Sequence, residues 1–276
     1  ARAREAARRS SCANNLKQMG IIFKMYANES KGAKFPQQGS DDCSNSPNDI
    51  EPIGFFHGPA VYPEYMTDLN ILFCPSDGEA SPEAYLDPPS GRWITRNQSH
   101  PRYGQLDPKC IDDDTSYLYW SWVTEKEDVW LTLSYAVSRY GSYPINAAVG
   151  AVGAQPAALL KALDNDVNLA HFDSLGGMSW FQNRINNAMR QTGVEGMVAQ
   201  GNGGGSIIYR VKDGVERFLI TDINNPAGAA KAQSSIPIIW DEIEMDDVAR
   251  YNHAPGGSNV LWMDGHVSYI RYPGEH

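Results

Sequence analysis

Asp241, His253, Asp264 and His266, near the C-terminus, are the residues of this chain best suited to hold a metal or to move protons. Imidazole nitrogens and carboxylate oxygens together suit a transition metal or a general acid–base pair. Nothing in their spacing brings the four together, and a histidine beside a turn more often has a structural task. The plainer reading is that His253 and Asn259 fasten a backbone corner through hydrogen bonds. Pro255-Gly256-Gly257 supplies that corner, and Asp264-Gly265 supplies a hairpin turn.

A second set could bind calcium. Asp164-Asn165-Asp166-Val167-Asn168 puts oxygen donors (Asp164, Asp166, Asn168) where an EF-hand loop has its first three ligands. The glycine and the closing glutamate of that loop are replaced by Leu169 and Leu175, which argues against a true EF-hand. Asp112-Asp113-Asp114 is another acidic cluster, of a kind that is usually a solvated loop. Gly256-Gly257-Ser258-Asn259 is no nucleophile elbow. A phosphate-binding loop, a dinucleotide glycine fingerprint and His-Glu-x-x-His are all missing from the sequence. The chain therefore reads as a structural or binding subunit and not an enzyme, with calcium the one cofactor the acidic clusters leave open.

Cys12, Cys43, Cys74 and Cys110 lie far apart, without the Cys-x-x-Cys spacing of zinc ribbons or thioredoxin-like sites. In an exported protein four cysteines read as two disulfides, with three pairings open; in a cytosolic one they would be buried thiols.

The elements that must position these groups are legible in part. The opening thirty residues read as one helix, because Cys12, Leu16, Met19, Phe23 and Tyr26 recur at helical spacing. Asn28 to Gly32 stops it. Its first nine residues carry Arg2, Arg4, Arg8 and Arg9 against Glu5, so they are either a solvated end or a stalk near lipid headgroups. Residues 36–115 are rich in Pro, Gly, Asn and Asp, with a short element between Tyr65 and Phe73. Strands are expected at 116–124, 130–137 and 236–240. Helices are expected at 156–163 and after Asp173, and a glycine loop at 201–205. Two hairpins close the chain. Ile207–Val211 and Val215–Ile220 flank Asp213-Gly214, with Gly214 left-handed and Arg210 opposite Glu216. Asn259–Met263 and His266–Tyr272 flank a type I′ turn that would set Met263 opposite His266 and Trp262 opposite Val267. A long helix followed by antiparallel strands is an α+β pattern.

A net charge of −10 over 276 residues disfavours nucleic acid, whose binders need clustered Lys and Arg. No run of 18 apolar residues is present to span a membrane. The 14 Tyr and 7 Trp favour strands and a half-exposed surface, and would suit stacking on sugar rings.

Three segments together resemble one bacterial family. AREAARRSSCANNLKQMGIIFKMYANES is similar to the region after prepilin-type cleavage in type IV pilin/pseudopilin-like proteins. LFCPSD at 72–77 is similar to an internal segment of that group. YNHAPGGSNVLWMDGHVSYIRYP resembles its terminal His…Asp-Gly motif, with ten residues between His253 and Asp264 where the motif has nine. The resemblance covers about a quarter of the chain. It implies a pilin-like α+β fold, with the helix of residues 1–30 packed on the antiparallel sheet of a single domain, 31–276, that carries loop insertions at 36–115. It also implies a precursor anchored in the inner membrane by a hydrophobic helix preceding Ala1, and a periplasmic, cell-surface or extracellular location. Its function would be that of a structural subunit in a type IV pilus-like or type II secretion-like assembly, partnered by like subunits or other pseudopilins. The alternative is a surface-anchored protein presenting residues 36–115 to a glycan or peptide. Type II secretion major pseudopilins, a more distant resemblance, use a loop calcium. Cys12 and Cys74 fall in the family-like segments and Cys43 and Cys110 in apparent additions, so the pairing implied is Cys12–Cys74 with Cys43–Cys110.

Overall fold

The N-terminal stripe becomes one buried face of a 28-residue helix, α1 (Arg2–Glu29). Cys12, Leu16, Met19 and Phe23 are fully buried. The stripe then runs out through Ala27 rather than Tyr26, which is half-buried and meets the Tyr65 ring edge-on at 5.4 Å. A computed structural model underlies this description, which covers residues 2–40, 52–78, 80–88, 90–95, 98–99, 101–111, 115–121, 123, 209–219, 233–242, 252–253 and 256–271. Arg4 and Arg8 are exposed, while the Arg9 guanidinium lies 4.8 Å over the Tyr269 ring. No helix among the described residues is long and apolar enough to cross a membrane.

The helix packs against a four-stranded antiparallel sheet in the order β3 (Tyr117–Tyr119), β4 (Pro237–Asp241), β5 (Gly257–Trp262), β6 (Val267–Arg271). Every residue of β4 and β5 is buried, whereas β6 is mostly half-exposed. Gly20 allows close approach of helix and sheet, since a Cβ there would lie 3.0 Å from Leu261 Cδ2. The fold is thus the expected α+β arrangement of a long helix on an antiparallel sheet.

Two expectations are corrected. The β5–β6 register pairs Leu261 with Val267 and Val260 with Ser268, one residue away from a two-residue turn. Trp262 N donates to His266 O, Gly265 N donates to Trp262 O, and Gly265 alone in the loop has positive φ (90°). A type I′ turn needs positive φ at both central residues, so a three-residue loop closing on a left-handed glycine forms instead. The other correction concerns the hairpin at Asp213-Gly214. Gly214 is left-handed (φ 78°), but Val215–Phe218 forms a 3-10 turn and not a returning strand. The preceding segment bonds elsewhere: Val211 N donates to Ser121 O, and Phe35 N to Val211 O. Arg210 is buried, its Nε donating to Ser121 O and its Nη2 to Pro36 O, so it does not face Glu216 across a hairpin.

The insertion region carries short elements: β1 (Gln38–Ser40) paired with β2 (Pro52–Phe56), α2 (Gly58–Val61) and α3 (Pro82–Leu86). Two 3-10 turns, Leu69–Leu72 and Pro108–Cys110, are also present among its described residues. Ser81 caps α3 by accepting from Ala84 N. Two aromatic groups hold the region down. Phe23 meets Phe56 and Tyr119, and Phe73, Tyr85 and Trp93 pack with centroids 5.1–5.5 Å apart. The elements expected at 130–137, 156–163, after Asp173 and at 201–205 lie outside the described residues.

Candidate functional site

Glu5 and Cys12 both come from α1, seven residues and so about two turns apart on one side of the helix. Cys74 follows the 3-10 turn at Leu69–Leu72, whose buried leucines and isoleucine set it under the helix. Cys12 and Cys74 form a disulfide with Cα atoms 5.3 Å apart. Asp241 ends β4, and Asn259 lies in β5; the ladder between those strands puts both beside His253.

His253 sits at the centre, fully buried. Its Nδ1 is 2.8 Å from Glu5 Oε1, its Nε2 is 3.1 Å from Asp241 Oδ2, and Nε2 is 3.6 Å from Cys74 Sγ. Burial opposes a charge on the ring. The hydrogen bond and charge of Asp241, joined by those of Glu5, outweigh it and raise the pKa above its ordinary 6.5. Asp241 Oδ2 also accepts from Asn259 N and Asn259 Nδ2, both at 2.7 Å. The second oxygen, Oδ1, is buried and has no hydrogen-bond partner.

A shell of short bonds fixes these groups. Ser116 Oγ accepts from Cys74 N (2.8 Å) and donates to Asp77 Oδ2 (2.7 Å). Asn15 Nδ2 donates to Phe73 O, and Ser76 Oγ donates to Glu5. Asn252 Nδ2 donates to Ser116 O at 2.6 Å. Gly257, at φ 143°, lets the backbone pass Tyr269, whose hydroxyl donates to Gly256 O.

The four C-terminal residues singled out from the sequence separate into two pairs. Asp241 and His253 are joined in the interior. Asp264 and His266 pair with each other at 2.6 Å in the exposed β5–β6 loop, with the imidazole stacked on Trp262. The metal-capable group among the described residues is instead Cys12, Cys74, Asp241 and His253, whose ligand atoms all lie within 4.8 Å of one another. Glu5, Asp77 and Ser116 were not anticipated as partners. The expected bond of Cys74 to Cys12 is formed, whereas the LFCPSD segment gave no partner for Asp77. Asn259 fastens Asp241 and His253, while Pro255, Asp164, Asp166, Asn168 and Asp112 to Asp114 lie outside the described residues. Cys110 is buried and disulfide-bonded; Cys43, its expected partner, also lies outside them.

These features define an α+β protein whose N-terminal helix is fastened to the sheet by a disulfide and a buried His–carboxylate network. The family model described as "Protein of unknown function (DUF1559)" is similar to residues 1–63, which hold α1 through α2. No curated protein and no solved structure matches the chain.

Proposed function

We propose that the chain is the globular part of a pilin-like or pseudopilin-like structural subunit, exported behind a hydrophobic helix and built into a type IV pilus-like or type II secretion-like assembly. One observation carries this reading. The three segments that resemble that group, distant in sequence, meet in a single network through Glu5, Cys12, Cys74, Asp77, His253 and Asn259. Residues whose common task is to fasten a helix onto a sheet suit a subunit that must transmit force from its helix to its globular part. The exposed basic first turns suit a helix that continues toward a membrane or a neighbouring subunit.

The glycan- or peptide-binding alternative draws less support. Among the described residues of the 36–115 region, Phe55, Phe56, Phe73, Tyr85 and Trp93 are buried in the core, and Tyr103 is the large aromatic left exposed for sugar stacking. Expression of the full precursor gene, with and without a prepilin peptidase, tests the proposal. The expected result is peptidase-dependent processing and a ladder of cross-linked like subunits in the membrane fraction. A precursor that is never processed, or a processed protein that stays monomeric, overturns it.

A further inference from the structure

We propose that the Cys12–Cys74 disulfide is one of two states of a redox-gated zinc site, and that after two-electron reduction Cys12, Cys74, His253 and Asp241 hold one Zn²⁺. Two thiolates, an imidazole and a carboxylate are a donor set that zinc takes in tetrahedral sites. Bond lengths of that kind separate ligand atoms by about 3.3–3.8 Å along the edges of the tetrahedron. The oxidised structure already has 3.6 Å between Cys74 Sγ and His253 Nε2, inside that range, and the Asp241 carboxylate lies beside the same nitrogen, with Oδ2 3.1 Å away. On reduction the two sulfurs must part, and all four ligand atoms start within 4.8 Å of one another.

Two independent features of the surroundings point the same way. Asp241 Oδ1 is buried with no hydrogen-bond partner, so one carboxylate oxygen is free to ligate while Oδ2 keeps its bonds to Asn259. A bare buried carboxylate oxygen is costly, and a cation would satisfy it. Glu5 Oε1 faces His253 Nδ1 at 2.8 Å. A carboxylate that accepts the Nδ1 proton leaves the Nε2 lone pair for a metal, the usual support of a ligating histidine. That nitrogen faces Cys74, and a metal there would take the place of its contacts with Asp241 Oδ2 (3.1 Å) and Asn259 Nδ2 (3.2 Å).

The exchange balances with a dithiol as reductant. The dithiol gives two electrons to the Cys12–Cys74 bond and becomes a disulfide. Zn²⁺ binds the two thiolates formed, and two protons leave to solvent. In reverse, a disulfide oxidant takes two electrons from the thiolates, the S–S bond re-forms and Zn²⁺ is released.

The test uses the 276-residue chain with Co²⁺ as probe. The protein is reduced with a phosphine, freed of it under argon, and titrated while visible absorption and far-ultraviolet circular dichroism are followed. The expected result is one equivalent of tetrahedral cobalt with a thiolate charge-transfer band, displaced by Zn²⁺ and not formed by the oxidised protein. Reduced protein that shows no thiolate band, folded or not, overturns the proposal. So does equal uptake by the oxidised protein, or persistence of the band in Cys12→Ser/Cys74→Ser, which retains the other two cysteines. Asp241→Asn should weaken cobalt binding by about tenfold or more; unchanged affinity removes the carboxylate from the site and overturns the four-ligand assignment.

Discussion

Glu5 and His253 stand 248 positions apart in the chain and 2.8 Å apart in space. A carboxylate from the first turn of α1 meets an imidazole beside the terminal hairpin, and Asp241 holds that imidazole from its other side.

Removing the imidazole should be expensive. His253→Ala takes a donor from buried Asp241, frees Glu5 and leaves a void, a combination that costs about 3 kcal/mol. Glu5 is partly exposed, so Glu5→Gln should cost only about 1 kcal/mol. Urea unfolding of the disulfide-bonded proteins reads both. A His253→Ala midpoint equal to that of the wild type would show that the network contributes nothing to the fold.

Gly257 and Gly265 both have positive φ, yet they should respond differently to alanine. A Cβ on Gly257 would lie 2.4 Å from Tyr269 Oη and 2.6 Å from Ile270 O, at φ 143°. One on Gly265 meets nothing within 4 Å and bears only the conformational cost. Gly257→Ala should lose about 3 kcal/mol or more and Gly265→Ala about 1 kcal/mol. Equal thermal shifts in the two variants would contradict the close approach at Tyr269.

The Cys12–Cys74 bond spans 62 positions. Chain-entropy reasoning for a loop of that length gives about 4 kcal/mol of stabilisation. Cys12→Ala/Cys74→Ala should therefore unfold at distinctly lower urea than the oxidised parent. The shift should come mostly from the midpoint, with hydrogen exchange in the first half of α1 rising most.

Alkaline titration should reveal Tyr119. Burial holds its phenol above the ordinary value of 10, against a smaller opposing influence of Arg210, and its hydroxyl donates to Pro36 O at 2.7 Å. Below pH 10 both folded and unfolded states keep this proton. Above it the unfolded chain releases its proton while the native one retains it, so this group's contribution to stability falls as pH rises. Phenolate absorption should show Tyr119→Phe lacking one late-ionising group. An unchanged late phase in that variant would remove Tyr119 from it.

The sequence declared the helix because a 3.6-residue period needs only neighbours: Cys12, Leu16, Met19 and Phe23 are one stripe whatever they pack on. It declared strands at Tyr117, Ile238 and the terminal hairpin for a similar reason, since β-branched and aromatic runs bounded by glycine leave few choices. Register was missed by one residue because Asp264-Gly265 is compatible with two loop lengths, and only the φ of Asp264 separates them. Val215–Phe218 looked like a strand because its composition suits one. Pairing of the Tyr209–Val211 segment with residues 121 and 123 removed the neighbour it needed. The central site was the least legible. Its groups come from positions 5, 12, 74, 241 and 253, and no local spacing encodes a meeting made by a ladder and a helix crossing.

The packing of α1 across β5 also sets an order of events during synthesis. A helix made first has its main docking surface made last, because Leu261, against which Gly20 lies, emerges some 240 positions later. At ribosomal rates of roughly 5–20 residues per second, the apolar stripe waits about 10–50 s for that strand. Cys74 arrives far sooner. The disulfide can therefore tether the nascent helix to the LFCPSD segment before any of the sheet exists, shortening the search that the late strands must complete.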